Sequence, residues 1–393
     1  MFEQTTEGAR VSRQGNPFQI GTLAEGAGFA DRAAEVALLR RVWETPGAKL
    51  VLYGDRRMGK TAAMHAAAAL SRRARRRVVI VNLATAVDGP DAVRRLVTAV
   101  RGAVGRTWKT IVQDLAAKLR LTLTLTPSAD GTGLPGIQLG IDPSASAPRP
   151  GLFTETLDAI ESALAKRRLT LGLGLDEFQR LLAWGGEDVE WALKASLERH
   201  RHLSYVLAGS SRSLIEEMVT GRRRALWKAV DTLPLGPIPK AEFAAWIVAL
   251  SQGSGVPLGH ATAAAVVAMG GPRTRDIVQL AGAVWEDVRV AGGPGDPARA
   301  CDALVATADA LYLRLWEGGT DRERRILRAL AGEPGVEPTS TAARERYGLG
   351  APSTVAKALS ALVAREVLAR GGPRYVFDDP FFRRWVQLSD ATA

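Results

Sequence analysis

The apolar positions of this chain fall into two rhythms. Short, mostly apolar runs stand at residues 50–53, 78–83, 169–175, 204–208 and 232–235, and each has the length of a buried strand. Between them, apolar residues recur every three or four positions, as on one face of a helix, over residues 26–41, from 62 onward, and over 90–119, 153–166 and 189–198. Strands alternating with helices at this spacing predict a parallel, doubly wound α/β sheet. Residues 121–125 and 136–141 alternate instead with period two around Asp130-Gly131-Thr132-Gly133, which predicts an inserted β-hairpin, followed by a Pro, Ser and Ala-rich loop at 143–150.

The rhythm changes after residue 239. From 240 to about 313 only helical periodicity remains, broken by glycine and proline at 253–258, 270–272 and 292–297. Helices then follow at 322–331, 340–347 and 353–365, with a small hairpin at 367–370 and 374–377 across Gly371-Gly372. Three helices and a hairpin in this order predict a winged helix-turn-helix. The expected organisation is an N-terminal arm at 1–24, a core at 25–238 with its hairpin insertion at about 120–143, a helical lid at 239–314 and a winged-helix domain at 315–393.

The candidate chemistry lies at the ends of two strands. Residues 54–61 read Gly54-Asp55-Arg56-Arg57-Met58-Gly59-Lys60-Thr61 and stand between a strand and a helix that opens at Ala62. Backbone N–H groups at such a helix N-terminus face an anion, and the helix dipole favours negative charge there. In this pattern Lys60 reaches the terminal phosphates of a nucleotide and Thr61 holds Mg²⁺. The second strand, 169–175, ends in Asp176 and Glu177. Asp176 is a hard oxygen ligand suited to Mg²⁺, and Glu177 is placed to orient an attacking water. ATP or ADP with Mg²⁺ is therefore the expected ligand set, and ATP hydrolysis the expected activity.

Composition narrows the remaining classes. The single cysteine, Cys301, excludes an internal disulfide, and no Cys/His cluster offers a zinc site. The four histidines are scattered, and His200 and His202 are expected on a solvated helix end. Residues 1–22 lack the apolar core of a signal peptide, and no apolar run approaches a bilayer span, so a soluble cytoplasmic protein without membrane contact is expected. The net charge of +11 points to an anionic partner, most simply nucleic acid. Residues 315–393 carry 12 Lys and Arg against 10 Asp and Glu, so most of the surplus lies in the core and lid, including clusters at Arg72–Arg77 and Arg222–Lys228.

Together, the segments 29–32 (Phe-Ala-Asp-Arg), 54–61, 175–179 (Leu-Asp-Glu-Phe-Gln), 208–211 (Ala-Gly-Ser-Ser) and 375–385 resemble the prokaryotic family often called archaeal ATPases. That family belongs with initiator-type AAA+ and STAND NTPases. The resemblance implies ATP binding between the sheet and the lid, with Ser210 as sensor 1. It implies that Arg273 (with Arg275 as competitor) is sensor 2, and that Phe29 and Arg32 lie near the adenine. Arg222, the first of Arg222–Arg224, would act as an arginine finger across a homo-oligomer interface. In the winged helix, Ser353, Thr354, Lys357 and Arg365 would face the DNA major groove and Arg374 would sit on the wing. The same resemblance leaves open a STAND-like, nucleotide-latched switch whose winged helix docks a protein partner rather than DNA.

Overall fold

A computed structural model describes residues 15–19, 32–104, 122–126, 136–140, 151–333, 335–371 and 374–391. Phe29, the 143–150 loop, residues 105–119 and the Asp130–Gly133 turn lie outside the described residues. The chain divides into two compact units, residues 23–237 and a second made of residues 1–22 with 238–393.

The first unit is an α/β layer. Its strands are β1 (Lys49–Tyr53), β2 (Val78–Asn82), β5 (Leu171–Asp176), β6 (Leu203–Gly209) and β7 (Asp231–Pro234). They form one sheet in the order β2-β5-β6-β1-β7, every pair parallel. Strands β3 (Thr122–Thr126) and β4 (Gly136–Gly140) pair antiparallel as a separate two-stranded sheet. The helices are α1 (Ala33–Glu44), α2 (Lys60–Arg73), α3 (Gly89–Val104), α4 (Leu152–Ala165), α5 (Gly186–Arg199) and α6 (Arg212–Thr220), with a 3₁₀ segment at Phe178–Trp184. One apolar cluster joins α3, α4 and α5 to one sheet face, and a second joins α1 and α2 to the other. Both faces are covered, as a parallel sheet requires.

Strand β5 shows how sequence sets this packing. Leu171, Leu173 and Leu175 are buried in the first cluster. The alternate positions are glycines because α1 lies directly over them: a Cβ on Gly172 would stand 2.9 Å from the Trp43 ring. Gly172→Ala is expected to destabilise the protein by about 1–3 kcal/mol through overpacking. Chemical denaturation of the variant checks this, and a midpoint unchanged from wild type would refute it.

His200 and His202 differ from the expected solvated pair. His200 is 2% exposed. Its Nδ1 lies 2.6 Å from the Tyr205 hydroxyl and its Nε2 2.8 Å from Asp158 Oδ1. His202 Nδ1 lies 3.1 Å from Glu161. The chain turns inward after α5 to enter β6, so α4 supplies carboxylates to partners that sequence spacing alone could not pair. Burial lowers the His200 pKa from the usual 6.5, while Asp158 opposes the shift. The unfolded imidazole thus takes up a proton before the folded one does, and stability rises with pH across that window. Stability is expected to decline as pH falls below about 6.5, and to decline less steeply in His200→Gln. Thermal melts from pH 7.5 to 5 measure both slopes, and equal slopes would remove His200 from the account.

The second unit is helical. Helices α7 (Lys240–Gly253), α8 (His260–Met269), α9 (Thr274–Ala291), α10 (Pro297–Thr307) and α11 (Asp309–Glu317) lead to α12 (Asp321–Gly332), α13 (Thr341–Tyr347) and α14 (Pro352–Ala364). Strands β8 (Leu368–Gly371) and β9 (Arg374–Phe377) then pair antiparallel, and α15 (Pro380–Ala391) closes the chain. A capping box between Thr320 and Glu323 starts α12. Within the N-terminal arm, residues 15–19 are docked on this unit: Phe18 is 4% exposed against Trp246, and Asn16 Nδ2 donates to Gly282 O at 3.0 Å. Gly282 admits this approach, since a Cβ there would come within 3.1 Å of Phe18 O.

Candidate nucleotide site

The 54–61 loop leaves β1 and enters α2 as its sequence requires. Gly59 caps α2 with φ of 91°, a conformation costly for residues with a Cβ. A Cβ on Gly54 would collide with Leu235 O, so glycine is needed there for close approach. Met58 is buried and anchors the loop in the apolar cluster under α1 and α2. Asp55, Arg56 and Arg57 are exposed, and Arg57 has positive φ. Among the described residues no side chain caps the first turn of α2, which begins Lys60-Thr61-Ala62 and carries no acidic residue. Its N-terminal N–H groups therefore present an anion-binding end.

Lys60 is 6% exposed, and its ammonium donates to Gly54 O at 2.8 Å and Asp55 O at 2.7 Å. Burial lowers its pKa, while Glu177 and Asp176 nearby pull the other way. Thr61 Oγ1 donates to Asp176 Oδ2 at 2.7 Å. Asp176 is 2% exposed, and burial raises its pKa although the Thr61 hydrogen bond opposes this. Thr61 and Asp176 come from α2 and β5, 115 residues apart, and supply adjacent hard oxygen atoms. A buried carboxylate beside a hydroxyl is a donor set that suits Mg²⁺.

Glu177 has left-handed backbone geometry, with φ of 57° and ψ of 40°, where β5 turns into the 3₁₀ segment. Its Oε2 accepts from Ser210 Oγ at 2.8 Å and from Gln179 Nε2 at 2.5 Å. Ser210 thus touches the Glu177 carboxylate directly. Gln179 belongs to the 175–179 motif, but the motif alone assigns it no role. Its other amide atom, Oε1, is buried and has no hydrogen-bond partner among the described residues. Gly209 makes room for it, since a Cβ there would collide with that oxygen. Orientation of Glu177 is therefore set by two side chains, and the signal was the placement of Gln179 and Ser210 at the ends of β5 and β6.

The other candidates sort by their partners. Arg32 is 5% exposed, and its Nη2 donates to Met58 O at 3.0 Å and Gly236 O at 2.7 Å. It ties the 54–61 loop to the segment after β7, and burial lowers its pKa despite Glu35. Arg212, which no sequence motif singles out, lies 3.9 Å from Asp55 of the loop and 3.0 Å from Glu216. Its signal was its position two residues after Ser210. Arg224 is held by Glu190, which is 1% exposed, and by Glu217 at 3.0 Å, whereas Arg222 and Arg223 are exposed. In the second unit, Arg273 forms a bidentate pair with Asp378 and also donates to its backbone carbonyl. Arg275 follows Thr274 in the first turn of α9. Ser353 and Lys357 are exposed on α14, Thr354 is half-buried, and Arg374 is exposed at the start of β9. Arg365 is engaged by Glu323 at 2.7 Å and by Gly318 O at 2.8 Å.

The structure is similar to a Walker-type ATPase of Pyrococcus abyssi, with a TM-score of 0.59 and 16% identity over 94% of this chain and 99% of that one. It is also similar to the ADP form of the Aeropyrum pernix ORC2 protein, with a TM-score of 0.51 and 15% identity over 95% and 96% of the two chains. At these identities the likeness establishes the fold, a P-loop α/β core followed by helices. A family model described as a probable winged helix domain matches residues 310–388. A search of curated proteins finds no match. Among the described residues, no helix is long and apolar enough to cross a membrane.

Proposed function

We propose that this chain binds ATP with Mg²⁺ on its 54–61 loop, hydrolyses it, and couples nucleotide state to engagement of duplex DNA by the winged helix. The carrying observation is the convergence of Lys60, Thr61, Asp176 and Glu177, from two strand ends, at the N-terminus of α2. The loop N–H groups and Lys60 bind and orient the phosphates. Thr61 and Asp176 hold the cation, which when bound neutralises phosphate charge. Glu177, steadied by Ser210 and Gln179, receives the proton of the attacking water. Arg222 is exposed and available to a neighbouring copy, so turnover is proposed to depend on assembly. ATP hydrolysis measured against protein concentration, with and without duplex DNA and at two salt concentrations, tests this. Steep concentration dependence with salt-sensitive stimulation supports it, and slow turnover indifferent to both would overturn it.

One observation favours a second reading, a nucleotide-latched switch. The Arg273–Asp378 pair ties the turn before α9 to the segment after the winged-helix hairpin. If that pair helps hold the latch, Asp378→Asn is expected to speed ADP release by about 5–150-fold, the range of ordinary coupling between sites. Stopped-flow release of a fluorescent ADP checks it, and an unchanged rate would argue against the latch.

A further inference from the structure

The charged residues of the winged-helix domain are sorted in space. Arg324 pairs with Asp321 at 3.5 Å, Arg328 with Asp390 at 3.0 Å, Arg346 with Glu333 at 2.8 Å and Arg384 with Asp302 at 2.6 Å. Arg365 is likewise taken by Glu323. Arg322, Arg325 and Arg344 behave differently. Arg322 Nε donates to Leu349 O at 3.1 Å, Arg325 Nη1 to Gly348 O at 3.0 Å and Arg344 Nη1 to Gly350 O at 3.2 Å. Three guanidiniums thus gather on one three-residue turn, and none of them is paired with a carboxylate among the described residues.

The turn that holds them is well fixed. Leu349 is fully buried, while Gly348 and Gly350 have φ of 59° and 86°. A Cβ on Gly348 would stand 3.4 Å from Arg325 Nη1, and one on Gly350 3.6 Å from Arg322 Nη2, so both guanidiniums lie directly against the glycines. Arg322 and Arg325 are three residues apart and share one face of α12, and both are exposed. Arg344 comes from α13, and α14 begins at Pro352 with Ser353 and Lys357 exposed just beyond the turn. Glu345 is exposed next to Arg344 in sequence, but successive helix residues point about 100° apart, away from a shared face.

We propose that Arg322, Arg325 and Arg344 form a site for the backbone phosphates of duplex DNA. This rests on the DNA-engagement reading above and names the residues that carry its electrostatic part. Five N–H donors in a fixed fork let each guanidinium grip a phosphate while keeping its bond to the turn. Half-buried Arg344, which also donates from Nε to Thr339 O and from Nη2 to Thr341 Oγ1 at 3.2 Å each, has two N–H groups left for this. The near balance of 12 basic and 10 acidic residues over 315–393 hides this site, because the acids neutralise other arginines. The position is apt: in helix-turn-helix proteins the helix after such a turn enters the major groove, and phosphate contacts at its entrance set register without reading sequence.

The test is duplex binding by the full chain across a salt series. Arg322→Gln/Arg325→Gln/Arg344→Gln is expected to weaken binding to all duplex sequences alike and to lower the slope of log K against log salt by about 2–3, near 0.9 for each phosphate no longer neutralised. The corresponding triple Lys variant should keep most of the slope, which separates loss of charge from a disturbed turn. Arg328→Gln, whose arginine pairs with Asp390, should match wild type. Wild-type slopes in the triple Gln variant would overturn the site while leaving DNA engagement standing. No duplex binding by the wild-type chain would overturn the DNA reading itself, and the site with it.

Discussion

Glu177→Gln is expected to retain ATP affinity and to lower turnover by about 10²–10⁴-fold, the contribution of a positioned general base. The substitution is nearly isosteric. The amide oxygen still accepts from Ser210 and Gln179, which hold Oε2 of the native side chain, so the loop after β5 keeps its shape. What disappears is the ability to take a proton. Thr61, Asp176 and Lys60 are untouched, so the nucleotide and its cation should bind as before. Calorimetric ATP binding and single-turnover phosphate release separate the two effects. Wild-type turnover in the variant would exclude Glu177 from the reaction.

Arg224→Ala is expected to cost about 3 kcal/mol of stability, because it strands a buried carboxylate. Glu190 is 1% exposed and accepts from Arg224 Nε at 3.4 Å and from the Ala225 N–H at 3.1 Å. Arg224 also reaches Glu217, and these partners raise its pKa, with Glu190 the largest contributor. Without the guanidinium, Glu190 must either stay charged in a poor environment or take up a proton. Arg222→Ala provides the contrast. Its arginine is exposed, so stability should change by no more than about 0.5 kcal/mol. If Arg222 acts in trans, turnover in that variant should fall by about 10³-fold or more. Urea unfolding of both variants, read beside their ATPase rates, divides the triplet into a structural and a functional arginine. Equal stability of the two would contradict the Glu190 pairing.

The contrast explains what sequence could and could not disclose. The 54–61 loop and the Asp176–Glu177 pair were legible because their logic is local: strand, turn and helix follow one another within a few residues. The five strands of the main sheet were legible from apolar runs, and β7 appears at Asp231–Pro234 beside the expected 232–235. Strand order was not legible, because parallel pairing joins segments far apart in the chain. Partners of charged side chains were hidden for the same reason. Arg273 and Asp378 are 105 residues apart, and Arg365 finds Glu323 across two helices. His200 looked solvated because its immediate neighbours are polar, yet Asp158 and Tyr205 enclose it. The 3₁₀ segment after Glu177 carried no periodic signal, being too short to show one.

The Arg32 brace on the 54–61 loop bears on how the protein is made. Arg32 joins Met58 O to Gly236 O, and the Leu235 N–H donates to Tyr53 O at 2.6 Å. The loop is thus synthesised early but receives its last supports only when residues 235 and 236 have been added. During translation, N-terminal segments emerge first and wait for later ones. A nascent chain stopped before that point would carry the whole 54–61 motif on a backbone lacking those supports. ATP-agarose capture of ribosome-stalled chains should therefore rise sharply once this segment has cleared the exit tunnel, making nucleotide retention a readout of completed core synthesis.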